Sequence, residues 1–415
     1  MTAVTRAQLR RKPAKAPKRA PRGQWARLWP VVQVASAVAV LGSALLAVVP
    51  PQSYRLFQAR LVASEGSAWV LVAAVLVLAT ARPGRRGAIV ASMAVVSIAA
   101  SSAPVLRASA STARLRDAIG QAFGPLPVPL PAAVSRRAPV VLTDLIRGLG
   151  LPDLQPRRMV YATIDGQELL LDILTPPGAD RPAAPGVLII HGGGWSGGAR
   201  TEFGGLGRYL ASRGYVVISM DYRLAPAWRF PAARDDVAAA VQTVEARAAE
   251  FGLDGRRLVL LGRSAGGQLA LLHAYSSHDP AIRGVVSFYG PTDLVYGYEH
   301  PADPKIYDST AVLTRYIGGP LVDHLPAYRA ASPIECARAE SPPTLLVHGV
   351  PDELVEVEQS RRLDRRLTQL GVAHLLVELP WASHGCDVFL RGPCGQVSTF
   401  AIEQFLARVL APLRR

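Results

Sequence analysis

The sequence predicts an α/β protein: a mostly parallel, eight-stranded sheet flanked by helices and preceded by about three transmembrane helices. Three observations carry this expectation. From about Met159 onward, short β-branched runs alternate with helical stretches. Ahead of that lie three uncharged apolar runs, packed between Trp29 and Val105. The 415 residues are 50% hydrophobic and only 19% charged, which excludes a disordered chain and exceeds the apolar content of an ordinary soluble protein.

Charge is distributed unevenly. The formal net charge is +15, yet residues 1–130 hold 17 of the 46 Lys and Arg and only 2 of the 31 Asp and Glu. The remaining 285 residues are therefore neutral, and the basic balance belongs to the N-terminal third. No basic stripe interleaved with aromatics occurs, so no nucleic-acid partner is expected. Three cysteines are too few for a disulfide scaffold or a four-cysteine zinc site.

Residues 1–28 form a basic tail, with nine Lys and Arg between Arg6 and Arg27 and no acid. Such a segment has no core of its own and stays solvated. Residues 29–107 are the expected membrane region. The first run, Trp29 to Pro51, is long enough to cross a hydrocarbon layer of ~30 Å. The second, Ser67 to Ala81, is short for a span, and the third covers Gly87 to Val105. Buried core helices are the alternative, but none of the runs shows an amphipathic face. A cleaved signal is disfavoured by the length of the first run and by the two that follow.

Arg82, Arg85 and Arg86 sit between the second and third runs. The positive-inside rule places the tail and this turn in the cytoplasm, and the Gln52–Gly66 loop outside. Three spans leave everything after Val105 outside. The expected location is thus the cell membrane, multi-pass, with the C-terminal domain extracytoplasmic. If the short second run does not insert, two spans return that domain to the cytoplasm.

Residues 108–157 are a connector. Thr112–Phe123 and Val140–Leu149 are candidate short helices, and Pro125, Pro127, Pro129 and Pro131 forbid regular structure between them. The C-terminal domain spans residues 158–415. Its expected strands are Val160–Ile164, Leu169–Leu174, Gly186–Ile190, Val216–Met220, Leu258–Leu261, Gly284–Phe288, Thr344–Val347 and His374–Leu379. Helices are expected at Gly204–Ser212, Pro231–Glu250, Ala265–Ser276, Val357–Leu370 and Val397–Leu413. The first two strands have no helix between them, so they form an antiparallel hairpin through Asp165-Gly166. Val295–Ala330 shows no clear period and reads as an inserted cap.

Chemistry concentrates where strands end. Gly262-Arg263-Ser264-Ala265-Gly266 follows one strand and opens a helix, the context a G-x-S-x-G motif requires. A serine hydroxyl is a weak nucleophile and must stand exposed beside a base. His191-Gly192-Gly193-Gly194-Trp195 follows another strand, where glycines leave backbone N–H groups free to meet developing negative charge. An acid and a base must then follow in that order. Asp352 comes after the strand Thr344–Val347, and His384 after His374–Leu379. Glu353 is the alternative acid. No H-E-x-x-H, C-x-x-C, P-loop or dinucleotide fingerprint occurs, so neither a metal nor a cofactor is expected.

These motifs, joined by Asp221–Pro226 (D-Y-R-L-A-P), Phe230–Ala233 (F-P-A-A) and Tyr289–Leu294 (Y-G-P-T-D-L), resemble the α/β-hydrolase superfamily. More closely, they resemble the hormone-sensitive-lipase-like carboxylesterases and the feruloyl-esterase-like bacterial esterases. The likeness runs from about Met159 to the C terminus. The three-span anchor is similar to that of certain actinobacterial membrane esterases.

The resemblance implies an α/β-hydrolase fold and a serine carboxylesterase or lipase acting on carboxylic esters, of short- to medium-chain acyl groups. It implies Ser264 as nucleophile, His384 as general base and Asp352 as the acid that orients it. It implies oxyanion N–H groups from Gly193, Gly194 and Ala265, and His191 as a brace for the glycine loop. Asp221, Arg223 and Asp236 would hold neighbouring loops. Trp195 and Trp381 are candidate substrate-pocket walls, with ordinary packing as the alternative.

The expected partners are a small-molecule or lipid ester and, through the N-terminal helices, the lipid bilayer. Nothing in the sequence signals an oligomeric state. An amidase or peptidase, or an acyltransferase, could use the same triad. A non-catalytic scaffold is disfavoured because all three triad residue types are present. Cys386 and Cys394 could pair behind His384 outside the cytoplasm, or stay reduced and buried, with Cys336 free.

Overall fold

The computed structural model describes residues 24–126, 136, 138–178 and 183–411. The basic tail as far as residue 23, together with Pro127, Pro129, Pro131 and Leu413, lies outside the described residues.

The N-terminal apolar runs form α1 (Gln24–Leu46), α2 (Tyr54–Glu65), α3 (Ser67–Ala79) and α4 (Arg85–Ser111). Two helical stretches, Leu28–Leu46 and Arg85–Phe123, are long and apolar enough to cross a membrane. The 13 residues of α3 reach only ~20 Å, short of a ~30 Å hydrocarbon layer. With α2, from which it is bent by 74°, α3 makes a third candidate only as one broken span. The count of about three spans is thereby reduced to two, or three with the broken pair.

Gln33 of α1 donates to the Thr80 carbonyl at 2.5 Å and to its hydroxyl at 3.1 Å. The start of α1 therefore lies beside the end of α3. Arg86, at the start of α4, sits near Pro30 and Val31. The basic turn and the N-terminal end of α1 share one end of the helical bundle.

α5 (Leu115–Phe123) is amphipathic and buries Leu115 and Ile119. The second connector helix is shorter than expected: α6 covers Leu142–Arg147. The domain beyond it opens with β1 (Arg157–Ile164) and β2 (Gln167–Leu174). They pair antiparallel across Asp165 (φ 50°) and Gly166 (φ 77°), as the hairpin reading requires. Then come β3 (Ala184–Ile190), α7 (Gly204–Ser212), β4 (Val216–Met220), α8 (Ala232–Ala246), β5 (Leu253–Arg263) and α9 (Ala265–Ser276). After β6 (Ile282–Phe288), the segment expected as a cap folds into α10 (Leu294–Glu299), α11 (Ser309–Ile317) and α12 (Leu321–Ala330), with α13 (Pro333–Cys336) following it. The chain closes with β7 (Thr344–Gly349), α14 (Glu358–Leu370), β8 (His374–Leu379) and α15 (Pro393–Val409).

The eight strands make one sheet in the order β1-β2-β4-β3-β5-β6-β7-β8. Only β2 runs antiparallel to its neighbours; β4 through β8 are parallel. Successive residues of a strand face opposite sides. Leu188 and Ile190 of β3 accordingly enter one core cluster with Val237 and Leu269, while Val187 and Ile189 enter another with Tyr209 and Phe400. Both faces are covered, as near-continuous apolar strands demand. The parallel arrangement also brings the C-terminal ends of β3, β5, β7 and β8 to one edge, where a doubly covered sheet gathers its site residues.

Candidate active site

Ser264 occupies the turn from β5 to α9 with φ 50° and ψ −121°. That backbone region is unfavourable for a residue with a Cβ, and is kept only where surroundings enforce it. They do so here by close approach. A Cβ on Gly262 would strike the Gly266 carbonyl, and one on Gly266 would strike the carbonyls of Ile190 and His191. The glycines at −2 and +2 thus let the turn close on itself and press against β3.

The loop after β3 carries the next group. His191 is buried and stacks on Tyr222 at 4.2 Å. Tyr222 donates its hydroxyl to the His191 and Gly192 carbonyls at 3.1 and 3.2 Å. Burial holds the His191 imidazole below its ordinary pKa. Gly193 (φ 103°) and Gly194 (φ 57°) adopt left-handed conformations beyond it. Among the described residues their N–H groups donate to no protein acceptor. Ala265 is the first residue of α9, whose N–H has no intrahelical partner. The three N–H groups named from the resemblance are all left available.

Asp352 and His384 meet across the ends of β7 and β8. His384 Nδ1 lies 2.7 Å from Asp352 Oδ2. Asp352 Oδ1 accepts the N–H groups of Leu354 and Val355, both at 2.9 Å. Burial by itself would raise this carboxyl. The His384 and His348 rings, charge and hydrogen bonds together, outweigh burial and hold it well below the usual carboxylate range. His348 lies 3.4 Å from Oδ2 and is itself anchored to the Ser360 hydroxyl at 2.7 Å. Glu353, the alternative acid, makes no hydrogen bond or ion pair with His384 among the described residues. It pairs with Arg60 and accepts the Ser383 hydroxyl at 3.3 Å.

Ser264, His384, Gly193 and Gly194 line one open cavity of about 410 Å3. Ser264 and Gly194 also border a second, narrower one of about 50 Å3, roofed by cap residues that include Tyr296, Tyr307 and Leu313. Trp195 borders that second cavity. Its indole N–H donates to Gln268 at 2.9 Å, and its ring stacks on Tyr316 at 4.2 Å. Trp381 lines neither cavity. It is packed in the core with Phe288, Val347 and Leu379, which corrects its reading as a pocket wall. Two residues beyond β8, it still follows the strand's inward alternation.

Several participants escaped the sequence reading. The Tyr289 ring lies 4.2 Å from the His384 ring, and its hydroxyl donates to Asp387. Asp387 also binds Arg263, the residue before the serine, whose guanidinium lies over the Phe203 ring. Burial pushes the Tyr289 phenol far above its usual range. A charged residue at the end of an apolar strand was the available signal for Arg263. Tyr54 of α2 also reaches the open cavity. Behind the base loop Cys386 and Cys394 form a disulfide, with Cα atoms 5.7 Å apart, while Cys336 is free. Farther off, Arg223 clasps buried Asp236 at 2.7 and 2.9 Å, and Asp221 accepts Arg200 at 2.6 Å. Among the described residues no group of three His, Cys, Asp or Glu side chains is placed to hold a metal.

Comparison with known proteins places this geometry. The BD-FAE family model matches residues 171–367. Esterase LipC of Mycobacterium tuberculosis is 32% identical over 269 residues, 61% of this chain and 65% of LipC. The chain thus spans less than two thirds of that relative. Carboxylesterase NlhH of the same organism is 30% identical over 248 residues, 56% of this chain and 77% of NlhH. Among solved structures, the propionate-bound Est2 esterase of Thermogutta terrifontis is 25% identical with a TM-score of 0.51, covering 65% of this chain and 99% of that one.

Proposed function

The chain belongs to the esterase family of carboxylesterase NlhH, and on that footing we propose that it hydrolyses carboxylic esters through a serine acyl-enzyme. The observation that carries this reading is the 2.7 Å contact between His384 and Asp352, in a loop cluster whose cavity also holds Ser264 and two unpaired glycine N–H groups.

Ser264 Oγ attacks the ester carbonyl while His384 Nε2 takes its proton. Asp352 fixes the imidazole with Nδ1 protonated and stabilises its cation. The Gly193, Gly194 and Ala265 N–H groups hold the oxyanion, where losing one donor typically costs ~3 kcal/mol. His384 then protonates the leaving alcohol, and water repeats the sequence on the acyl-enzyme. A short- to medium-chain acyl group is proposed to enter the space beneath Tyr296, Tyr307 and Leu313, and propionate in Est2 agrees with that class.

The enzyme is further proposed to be held in a bilayer by three spans, α1, the bent α2–α3 pair and α4, with its active site extracytoplasmic. The basic turn at Arg82–Arg86 lies at the end of the bundle away from α2, which touches the sheet domain through Arg60 and Glu353. The positive-inside rule puts that turn in the cytoplasm and the sheet domain outside. The Cys386–Cys394 disulfide belongs in an oxidising compartment and supports the same side. Tyr54 at the cavity then stands close to the lipid surface, which favours esters presented there.

Ser264→Ala should abolish p-nitrophenyl ester turnover and fluorophosphonate labelling while the far-UV spectrum is kept. Persistent turnover would end the assignment. Added alcohol acceptors that divert the product from acid to new ester would redirect it to acyl transfer.

A further inference from the structure

Glu353 stands beside the triad acid Asp352, and Ser383 stands beside the base His384. One carboxylate bridges the two loops: Glu353 Oε1 accepts the Ser383 hydroxyl at 3.3 Å. That same oxygen is paired with Arg60, 293 residues earlier in the sequence. Both side chains are nearly inaccessible, at 8% for Arg60 and 11% for Glu353. Five residues on in the same helix, Glu65 accepts the Cys394 N–H at 3.0 Å, near the start of α15. Cys394 is disulfide-bonded to Cys386, two residues after the base. Leu61, between them, approaches Gly385. α2 therefore grips the base loop on both sides of His384 and the acid loop beside Asp352.

From this geometry we propose that α2 is a built part of the active site and that Arg60 is a positioning residue, holding through Glu353 the separation of the acid and base loops. The inference rests on the ester-hydrolase reading of the same site. An ion pair this enclosed is costly to break from one side, because the remaining charge is left buried. Without Arg60 the Glu353 carboxylate must seek water or another donor, and Ser383 and His384 move with it. A displacement of about 1 Å at a catalytic base is enough for a large rate loss, up to about a hundredfold. Substrate binding, governed by the cap and glycine loop, is not expected to change.

The test uses the full chain in detergent micelles. Arg60→Ala should lower kcat for p-nitrophenyl butyrate at least about tenfold, with KM within about twofold. Fluorophosphonate labelling of Ser264 should slow by a similar factor yet reach completion. Arg60→Lys, which keeps the charge, should recover much of the loss. Combining Arg60→Ala with Glu353→Gln should recover part of it, since no buried charge is then stranded. Arg55→Ala, on the exposed face of α2, is the control that leaves kcat unchanged. Should Arg60→Ala fail to fold, Glu353→Gln alone should still lower kcat several-fold at constant KM.

Full kcat in both Arg60→Ala and Glu353→Gln would overturn the inference, as would a loss confined to KM. Ser264→Ala separates the two levels of the argument. Turnover surviving in that variant defeats the hydrolase reading itself, whereas a dead Ser264→Ala with an unimpaired Arg60→Ala defeats only the role of α2.

Discussion

The sheet domain and the N-terminal helices use the same aliphatic residues in opposite ways. In the sheet, Leu188, Val259, Leu260 and Leu261 are wholly buried. In the helices, Val31 and Leu76 are 66% and 63% exposed. What the helices bury among themselves is mostly small: Ala37, Val77, Val90 and Ala94 form their shared cluster. Close packing through small residues with large aliphatics facing outward is how helices associate when the surrounding solvent is hydrocarbon. One region is organised by expelling water; under the bilayer anchoring proposed above, the other relies on close contacts between backbones. α2 joins the two, its Arg60 and Glu65 reaching Glu353 and the Cys394 N–H of the sheet domain.

The comparison can be broken at several strengths. The largest effect is expected inside the sheet domain. Asp352→Asn keeps the shape of the acid side chain but removes the charge proposed to fix the His384 tautomer, and kcat should fall ~10⁴-fold. A loss under tenfold would move the role of acid to another group. In the helices, Val38 is 54% exposed. Val38→Asp should cost ~3 kcal/mol of membrane insertion, read as loss of the chain from carbonate-washed membranes. An unchanged membrane fraction would mean that this face of α1 does not meet lipid.

The gentlest probe is pH. Burial lowers the His273 imidazole in α9 to about 4. Its folded pKa lies below the unfolded value of ~6.5, so the unfolded chain takes up the proton first. Stability should fall as pH drops from ~6.5 toward 4, by up to ~3 kcal/mol from this group. In chemical denaturation, His273→Phe should flatten that slope; an identical slope in the variant would assign it elsewhere.

Asp352 titrates in a lower window. Its depressed carboxyl adds stability that is complete above the ordinary carboxylate range and is lost as pH falls through the folded value. The two carboxyl-side and imidazole-side losses therefore follow one another on acidification, the histidine first.

Much of the fold was legible because local chemistry dictates it. The helices Gly204–Ser212 and Ala265–Ser276 and the strand His374–Leu379 have the bounds their patterns predict. The cap was not legible as helices. Its pieces are only 6, 9 and 10 residues long, interrupted at Gly318 (φ 108°) and kinked at His324 ahead of Pro326. Segments that short lack a readable period and owe their helicity to packing on the site. β5 extends to Leu253, beyond its apolar run, because pairing with β3 recruits a polar stretch that no propensity marks. Among site residues, Ser264, Asp352 and His384 were readable from the order of loops after strands. Tyr289, Asp387 and Arg263 were not, since their meeting depends on three separate strand ends.

By itself the sequence determined the alternation that makes a parallel sheet, the glycines that permit a tight turn at Ser264, and the apolar runs ahead of the sheet. Each is a property of neighbouring residues, set by sterics and hydrophobic periodicity. Only the tertiary structure decided which of two adjacent acids meets His384, that Trp381 turns into the core, and that Arg60 reaches Glu353. Those choices rest on contacts between segments up to 293 residues apart, whose geometry exists only once the sheet has brought its loop-bearing ends together.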